Sequence, residues 1–249
     1  MRQSGDENLL SVRGLEKAFG GLKAVRGLSL DIPPGGITGL IGPNGSGKTT
    51  VLNLITGELR PDRGSILFEG RDIFGWPPHR ICRARVARTF QLVRALPSMT
   101  ALENVMLGRM FGSEPVDPAR AAREAEALLE RVGLGGRADQ FGAQLTYIDQ
   151  KRLELARALA IRPRLLLLDE WLAGLNPTEL QTGIELIAHI RRGGIAIVMI
   201  EHVMEAIRAL CDRVVVMNAG ERIAEGTPEA VLSDPHVMSA YLGADDAAA

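Results

Sequence analysis

The sequence of 249 residues predicts an α/β fold, in which a mainly parallel β-sheet lies between layers of helices. Three short runs, Ile37–Ile41, Leu165–Leu168 and Ile195–Ile200, are apolar on both faces, as strands are when helices cover both sides of a parallel sheet. Helical patterns follow these runs along the chain, at Thr49–Thr56, Pro177–Ile190 and Val203–Leu210. Such alternation of strands and helices is typical of an α/β core.

Five further runs, rich in apolar and β-branched residues and bounded by Gly or Pro, also predict strands. They are Leu9–Val12, Ala24–Ile32, Ile66–Glu69, Arg213–Met217 and Arg222–Ala224. Residues 118–132 differ, because they are rich in Ala, Glu and Arg, have helical spacing and carry no strand signal. We therefore expect an inserted helical segment at about 91–160, between two parts of an α/β core at 1–90 and 161–249, with a helical tail at about 228–249.

The inserted segment ends in a helix whose N-terminus has an unusual residue. Thr146 is placed to cap this helix and Asp149 lies in its first turn, where an acid is favoured, while Pro163 follows its end. A helix N-terminus is a natural seat for an anion. The bulky, β-branched Ile148 in that first turn would crowd such a seat.

Composition and charge exclude several classes of function. The 29 basic and 30 acidic residues leave a net charge of −1, so the chain offers no overall attraction for nucleic acid. Cys82 and Cys211 lie far apart without a CxxC spacing, which indicates neither a disulfide framework nor a metal site; we expect both to be buried and reduced, as in a cytosolic chain. The N-terminal MRQSGDENLL predicts no signal peptide, and no apolar run approaches the roughly 18 residues of a membrane helix.

The strongest motif is the glycine-rich stretch GPNGSGKTT, which fits the spacing GxxxxGK[ST]. It follows a predicted strand and opens a predicted helix, which is the context that a phosphate-binding loop requires. Its glycines allow the backbone N–H groups to wrap a phosphate, its lysine supplies a positive charge and its first threonine a hydroxyl for Mg²⁺. A glycine-rich turn without a ligand is the alternative. The candidate residues are Gly42, Pro43, Asn44, Gly45, Ser46, Gly47, Lys48, Thr49 and Thr50.

Two polar clusters follow other buried strands. LLLLDE delivers Asp169 and Glu170 at the carboxyl end of a strand, where α/β sheets place their ligands. Asp169 is the expected Mg²⁺ ligand and Glu170 is placed to polarise an attacking water, although two acids after a strand also cap helices. IAIVMIEH ends in His202, for which we expect a γ-phosphate contact; a helix cap or a core hydrogen bond is the alternative for this histidine.

With these motifs the chain resembles the ATP-binding cassette (ABC) transporter ATPases over nearly its whole length, from about residue 9 to residue 243. The glycine-rich stretch resembles the Walker A loop and LLLLDE the Walker B strand with its catalytic glutamate. Gln91 in RTFQ matches the Q-loop, which senses Mg²⁺ and the membrane partner, and AGLNP at 173–177 the D-loop. LTYID resembles the signature motif that faces the partner subunit's nucleotide, through Thr146, Tyr147, Ile148 and Asp149.

The resemblance implies an α/β P-loop NTPase (RecA-like) core with an N-terminal antiparallel β subdomain and an inserted α-helical subdomain. It also implies that His202 is the switch histidine and that Phe19 stacks on adenine. A core phenylalanine remains the alternative for Phe19, since stacking needs only a π-face. Catalytic roles fall to Glu170, His202 and Gln91, and metal contacts to Thr49, Gln91 and Asp169.

Within this family, ARTFQLVRALPSMTALENVMLG and GTPEAVLSDPHVMSAYLG resemble the ATPase subunits of branched-chain amino acid importers. Such a subunit would bind ATP and Mg²⁺, pair with a second ABC ATPase subunit and dock on transmembrane permease subunits at the cytoplasmic face of the membrane. An extracytoplasmic substrate-binding protein would take part indirectly, and no nucleic acid is expected.

Two positions depart from the family pattern. Ile148 stands at the second glycine of the signature motif, and would be strained if the position needs a positive φ; even without strain its side chain would obstruct phosphate oxygens. Trp171 stands where the family usually has proline after the glutamate, and either packs under the D-loop or obstructs it. In a homodimer both chains would carry Ile148, so both sites would be impaired. In a heterodimer only the site that faces this chain's signature would be impaired, which favours pairing with a related subunit.

Two rival functions stay open. A regulatory subunit with little turnover would explain the departures at Ile148 and Trp171. A soluble ABC ATPase of DNA repair or translation is the other rival, but only about 55 residues separate Gln91 from the signature, too few for the usual coiled-coil arm. Five arginines at 80–94 suggest nucleic-acid contact, yet without interleaved aromatics we expect a solvated helix face instead, and docking of a partner near Gln91 is a third alternative.

Overall fold

The computed structural model describes residues 8–245, and side chains up to Tyr241. The expectation of no signal peptide at residues 1–7, and the last four residues of the predicted tail, lie outside the described residues. In the described part of the chain, no helix combines the length and the apolarity needed to cross a bilayer.

The described residues form ten strands and nine helices, together with a 3₁₀ turn at Gly142–Gln144. The strands are β1 (Leu10–Phe19), β2 (Leu22–Ile32), β3 (Ile37–Ile41), β4 (Arg63–Phe68), β5 (Arg71–Asp72), β6 (Val86–Arg88), β7 (Leu165–Asp169), β8 (Ala196–Ile200), β9 (Arg213–Asn218) and β10 (Glu221–Gly226). The helices are α1 (Lys48–Ile55), α2 (Pro78–Arg83), α3 (Ala101–Phe111), α4 (Pro118–Arg131), α5 (Tyr147–Ala160), α6 (Pro177–Arg192), α7 (Met204–Leu210), α8 (Pro228–Leu232) and α9 (Pro235–Asp245).

The larger sheet has the strand order β10-β9-β3-β8-β7-β6 and is parallel except for β10, which pairs with β9 antiparallel. Every residue of β3, β7 and β8 is buried, which confirms the prediction drawn from runs that are apolar on both faces. The side chains alternate between two cores: Leu166 and Leu168 belong to one cluster, and Leu165 and Leu167 to the other. This is the period of two expected of a strand covered on both sides.

The smaller sheet has the order β2-β1-β4-β5 and is antiparallel. Val12 of β1 lies opposite Leu30 of β2 and Ile66 of β4. All three side chains are buried in the cluster that also contains Val51 of α1. The antiparallel sheet therefore packs on the face of the larger sheet that carries α1, and helps to hold the segment that follows β3.

Helices α3, α4 and α5 pack on one another. Thr100 and Glu103 form a capping box that starts α3, and Ala121, Ala125 and Leu129 form the buried stripe of α4 at helical spacing. As predicted, Thr146 caps α5 by accepting a hydrogen bond from the N–H of Asp149 at 3.3 Å.

The structure corrects the expectation for the arginine-rich stretch 80–94, which is not one solvated helix face. The stretch contains the end of α2, the strand β6 and an irregular segment leading to α3. The side chain of Arg88 at the end of β6 is only 5% exposed and is paired with a carboxylate. The expectation for the cysteines holds for Cys211, which is buried so that its pKa rises to about 12, whereas Cys82 is half-buried.

Candidate functional site

The glycine-rich loop between β3 and α1 has a backbone that only glycine can adopt at two positions. Gly42 and Gly47 have φ of 146° and 103°. A Cβ on Gly42 would lie 2.0 Å from the carbonyl oxygen of Met217, and a Cβ on Gly47 would lie 2.4 Å from that of Ala24. The loop is therefore clamped between β9 and β2, and substitution at either glycine would displace it.

Lys48 is the buried cation of this loop. Its side chain is folded back, and Nζ donates to the carbonyl oxygens of Gly42 at 2.8 Å and Pro43 at 2.9 Å. Burial lowers the pKa of Lys48, while the nearby carboxylates of Glu170 and Asp169 act in the opposite direction. The ammonium thus lies at the centre of the concave loop, close to the two acids at the end of β7.

The N-terminus of α1 is free to receive an anion. Gly47 precedes the helix without a side-chain cap, and the first turn contains no acidic residue. The helix dipole and the unpaired N–H groups of such a terminus favour a phosphate. Thr49 in the first turn is exposed, Ser46 is buried, and Asn44 is exposed at the crest of the loop.

Asp169 and Glu170 lie at the carboxyl end of β7 but have different surroundings. Asp169 is 1% exposed; its Oδ2 accepts from Nη2 of Arg88 at 2.6 Å, and its Oδ1 has no partner among the described residues. Glu170 has a positive φ of 52°, and its N–H donates to the carbonyl oxygen of Ile200 on β8. The chain therefore turns sharply after β7 and presents the two carboxylates in different directions.

The structure brings the three predicted catalytic residues together, with His202 and Gln91 on either side of Glu170. Its Oε1 lies 3.0 Å from Nε2 of His202, and its Oε2 accepts from Nε2 of Gln91 at 2.7 Å. Gln91 follows β6, Glu170 follows β7 and His202 follows β8, so three neighbouring strands of the sheet supply the cluster. The alternative of a core hydrogen bond does not fit His202, because its side chain is 37% exposed.

The donor set at this edge fits a magnesium ion bound to a nucleotide. In the described part of the chain there is no cluster of three or more His, Cys, Asp and Glu side chains that could hold a metal alone. Mg²⁺ does not need such a cluster, because it commonly binds one or two carboxylates together with substrate phosphates and water. The buried, unpartnered Oδ1 of Asp169 and the hydroxyl of Thr49 are hard oxygen donors of the required kind.

The signature residues lie at the N-terminus of α5. Asp149 is 4% exposed and anchors this turn, since it accepts from the hydroxyl of Thr146 at 2.6 Å and from Arg137 at 2.6 Å. Tyr147 is exposed and Ile148 is half-buried. Within residues 8–245, no hydrogen bond joins these four residues to the glycine-rich loop, so the two motifs are separate in one chain.

Ile148 adopts helical backbone geometry and is not among the residues with positive φ. Backbone strain at this position is therefore excluded, and only the side chain distinguishes it from glycine. Together with Trp171 and Gly183, Ile148 lines a cleft of about 460 Å³ between α5, α6 and the end of α4.

Trp171 packs inside the protein and does not obstruct the carboxylate beside it. Its side chain is 2% exposed and its ring lies against Gly183 on α6, where an added Cβ would be 3.3 Å from Cζ3. The indole N–H donates to the carbonyl oxygen of Lys151 at 3.1 Å. Of the two alternatives for Trp171, packing inside the protein is the one that the structure shows, with the indole in contact with α5 and α6.

Phe19 at the end of β1 is 46% exposed, so the alternative of a core phenylalanine is wrong. Nζ of Lys17 lies 5.6 Å from the ring centroid. Nearly half of the residue's surface is accessible to a ligand.

Sequence reasoning missed three buried polar residues at this edge. Arg88 pairs with Asp169, Lys151 donates to carbonyl oxygens beside the D-loop, and Glu201 accepts from the N–H of Leu172 at 2.7 Å. Burial raises the pKa of Glu201 to about 7. The only available signal was their position next to recognised motifs, since residue type does not distinguish a buried charge from an exposed one.

Comparison with known proteins gives a consistent result. The sequence model of the ABC transporter family matches residues 25–173, and that of the branched-chain amino acid ATP-binding cassette transporters matches residues 221–247. The chain is 42% identical to the high-affinity branched-chain amino acid transport ATP-binding protein LivG of Escherichia coli K12, covering 94% of this chain and 98% of the relative. It is 41% identical to BraF of Pseudomonas aeruginosa over 94% and 98% of the two chains.

Solved structures agree with the sequence relatives. The ADP conformation of MJ1267, an ATP-binding cassette of an ABC transporter, superposes with a TM-score of 0.85 at 32% identity, covering 95% of this chain and 99% of that chain. A nucleotide-free ATP-binding cassette from an ABC transporter superposes with a TM-score of 0.84 at 32% identity, covering 94% and 98%. The fold, the arrangement of the phosphate loop and acidic cluster, and these matches together show that the chain belongs to the ABC transporter family of ATP-binding cassettes.

Proposed function

We propose that this chain is the ATP-hydrolysing subunit of an importer for branched-chain or related amino acids. The observation that carries the proposal is the cluster of Glu170, His202 and Gln91 beside a complete phosphate loop. A nucleotide-binding protein without turnover would not require a carboxylate held from two sides at the point where hydrolysis occurs. The names of the curated relatives support the substrate class.

In this proposal the loop residues 42–50 bind the phosphates of ATP through backbone N–H groups, and Lys48 supplies a positive charge to the terminal phosphates. Phe19 stacks on adenine through its exposed ring. Mg²⁺, when bound, neutralises charge on the phosphate oxygens, and Thr49, Gln91 and Asp169 are the residues that would hold it. The loop N–H groups, Lys48 and Mg²⁺ would place positive charge opposite the negative charge that develops in the transition state.

Glu170 orients and polarises the water that attacks the γ-phosphate. The side chains of His202 and Gln91 fix both oxygens of its carboxylate, so the base is held in one rotamer before the substrate arrives. In this proposal His202 also contacts the γ-phosphate. Hydrolysis then yields ADP and phosphate.

The proposed assembly follows from the signature motif. Because Thr146, Tyr147, Ile148 and Asp149 are separate from the loop of their own chain, they are available to face the nucleotide held by a second ABC ATPase subunit. The pair would dock on transmembrane permease subunits at the cytoplasmic face of the membrane, with an extracytoplasmic substrate-binding protein delivering the amino acid. Ile148 would weaken the site built on the partner's loop, so we propose that the partner is a related subunit with its own intact signature.

The proposal is tested by co-expressing this chain with a second cassette and with integral membrane proteins encoded by neighbouring reading frames. We expect a complex that hydrolyses ATP, and that does so faster when the substrate-binding protein and a branched-chain amino acid are present. A complex that binds ATP without hydrolysing it would favour the regulatory alternative. Failure to associate with any membrane subunit would contradict the transport function.

A further inference from the structure

We propose that Arg88 is a positioning residue for the divalent cation of the bound nucleotide, because it fixes the carboxylate of Asp169 and leaves one oxygen of that carboxylate for the ion. The inference rests on the proposed function. Arg88 does not itself touch the substrate in this proposal; it acts through Asp169.

The first observation is the geometry of the ion pair. Nη2 of Arg88 lies 2.6 Å from Oδ2 of Asp169, and the two side chains are 5% and 1% exposed. The contact uses one carboxylate oxygen, and Oδ1 has no partner among the described residues. A buried carboxylate oxygen without a partner is costly, and a cation or its bound water would satisfy it when the nucleotide is present.

The second observation is that the same guanidinium also holds the helix of the phosphate loop. Nη1 of Arg88 donates to Oδ1 of Asn53 at 2.5 Å, and Asn53 lies on α1, which starts with Lys48. Arg88 therefore connects β6, β7 and α1. It fixes the distance between the carboxylate and the helix whose N-terminus receives the phosphates.

The third observation concerns the segment that follows β6. Arg88 contacts Asp169, and Gln91 contacts the next acid, Glu170. The ring of Phe90 lies between them in sequence, with its centroid 4.8 Å from the guanidinium carbon of Arg88. A single short segment thus holds both the proposed metal carboxylate and the proposed base.

Arginine suits this position better than lysine. A planar guanidinium directs two separate N–H groups at two acceptors, here Asp169 and Asn53, and stays charged when buried. A lysine ammonium is a point charge on a flexible stem and would not keep the same fixed geometry. Removal of one partner from a buried ion pair also leaves the other charge uncompensated, so the conservative replacement is the sharper probe.

The test measures ADP affinity by calorimetry with excess Mg²⁺ and with EDTA, for the parent chain and for Arg88→Lys. We expect the parent to bind more tightly with Mg²⁺. In Arg88→Lys we expect that gain to fall by about tenfold or more, as for other residues that orient metal ligands, with affinity in EDTA changed less than about twofold. Arg94→Met, which removes an exposed arginine from the same segment, serves as the control and should keep the parental gain.

Thermal melting without nucleotide checks folding, and Asn53→Ala provides a second variant that leaves the Arg88–Asp169 pair in place. We expect Asn53→Ala to reduce the Mg²⁺-dependent gain in the same direction, by a smaller factor. An unchanged gain in both variants, or an equal loss with Mg²⁺ and with EDTA, would overturn the role of Arg88. If the parent chain itself shows no Mg²⁺-dependent binding of nucleotide, the proposed function fails. Failure of the proposed function is thus seen in the parent chain, and failure of the role of Arg88 only in the variants.

Discussion

Trp171 and Lys151 exchange two hydrogen bonds: the indole N–H donates to the carbonyl oxygen of Lys151 at 3.1 Å, and the ammonium of Lys151 donates to that of Trp171 at 3.0 Å. The ammonium also donates to the carbonyl oxygen of Ala173 at 2.8 Å. These bonds join α5, whose N-terminus carries the signature residues, to the segment directly after the proposed base. Trp171, which stands where the family usually has proline, therefore forms a buried link between the signature helix and the segment after Glu170.

This link predicts a strong effect of truncating the indole. Trp171→Ala should lower the free energy of unfolding by about 3–5 kcal/mol, because it leaves a large cavity beside Gly183. Trp171→Phe keeps most of the volume and loses only the N–H donor to a carbonyl that also accepts a hydrogen bond within α5, so its cost should be nearer about 0.5–1.5 kcal/mol. Urea denaturation measures both values, and equal costs for the two variants would show that the hydrogen bond, not packing, dominates.

Glu201 predicts a pH dependence of stability. Burial raises its pKa from 4.5 to about 7 in the folded protein, so between these values the folded state keeps a proton that the unfolded chain loses. The unfolded state then binds fewer protons, and the free energy of unfolding falls as pH rises. The contribution is fully present below pH 4.5 and is lost on passing through pH 7, by about 3 kcal/mol.

Comparison of Glu201→Gln with the parent chain isolates this contribution. The amide can still accept from the N–H of Leu172 but does not ionise. Unfolding free energies measured from pH 4.5 to 8 should fall more steeply in the parent than in the variant. Parallel curves would show that Glu201 ionises in the folded protein as it does in the unfolded chain.

The phosphate loop predicts a contrast between glycines. Gly42→Ala places a methyl group against the carbonyl oxygen of Met217, so the loop must move and nucleotide affinity should fall at least tenfold. Gly70→Ala is the matched control, since Gly70 also has a positive φ, of 73°, but has no atom within 4 Å of an added Cβ. It should cost roughly 1 kcal/mol of stability and leave nucleotide affinity unchanged. Equal affinity in both variants would mean that the loop does not bind phosphate.

Placing glycine at position 148 tests whether the Ile148 side chain weakens ATP hydrolysis at the site that the signature motif faces. Ile148→Gly in complex with the candidate partner should raise ATP hydrolysis at the site on the partner's loop, by up to about 10²–10³, the scale of one lost interaction with developing charge, while the other site of the complex, which does not contain Ile148, should not change. The same change should lower stability by about 1 kcal/mol, because glycine is poor in a helix. Steady-state ATPase rates decide the matter: a rate no higher than that of the parent complex would remove Ile148 as the cause of any weakness.

Much of the fold follows from local patterns. The runs that are apolar on both faces predicted β3, β7 and β8, because burial on two sides leaves a signal in consecutive residues. The strand β6 gave no such signal: it has three residues, it ends in an arginine and another arginine precedes it. Its pairing with β7 depends on residues about 80 positions away, which no short window of sequence contains.

The candidate site likewise has one part that the sequence predicted and other parts that it did not. The glycine-rich loop was predictable because its geometry is set by neighbouring residues in the chain. The burial of Arg88 was not, since its partner Asp169 is distant in sequence and an arginine is exposed in most proteins. The alternatives for Trp171 could be separated only by the structure, because Lys151 and Gly183, which contact the indole, lie on two helices outside the turn that contains Trp171.

The most direct test of the account is ATP hydrolysis by the assembled complex with Glu170→Gln in this chain, measured beside nucleotide binding. ATP should still bind, because Lys48 and the loop are untouched, while hydrolysis at the site of this chain's Walker A loop should be lost and the closed complex with the partner should accumulate. Hydrolysis at the parental rate by that site would contradict the role of Glu170 as the residue that polarises the attacking water.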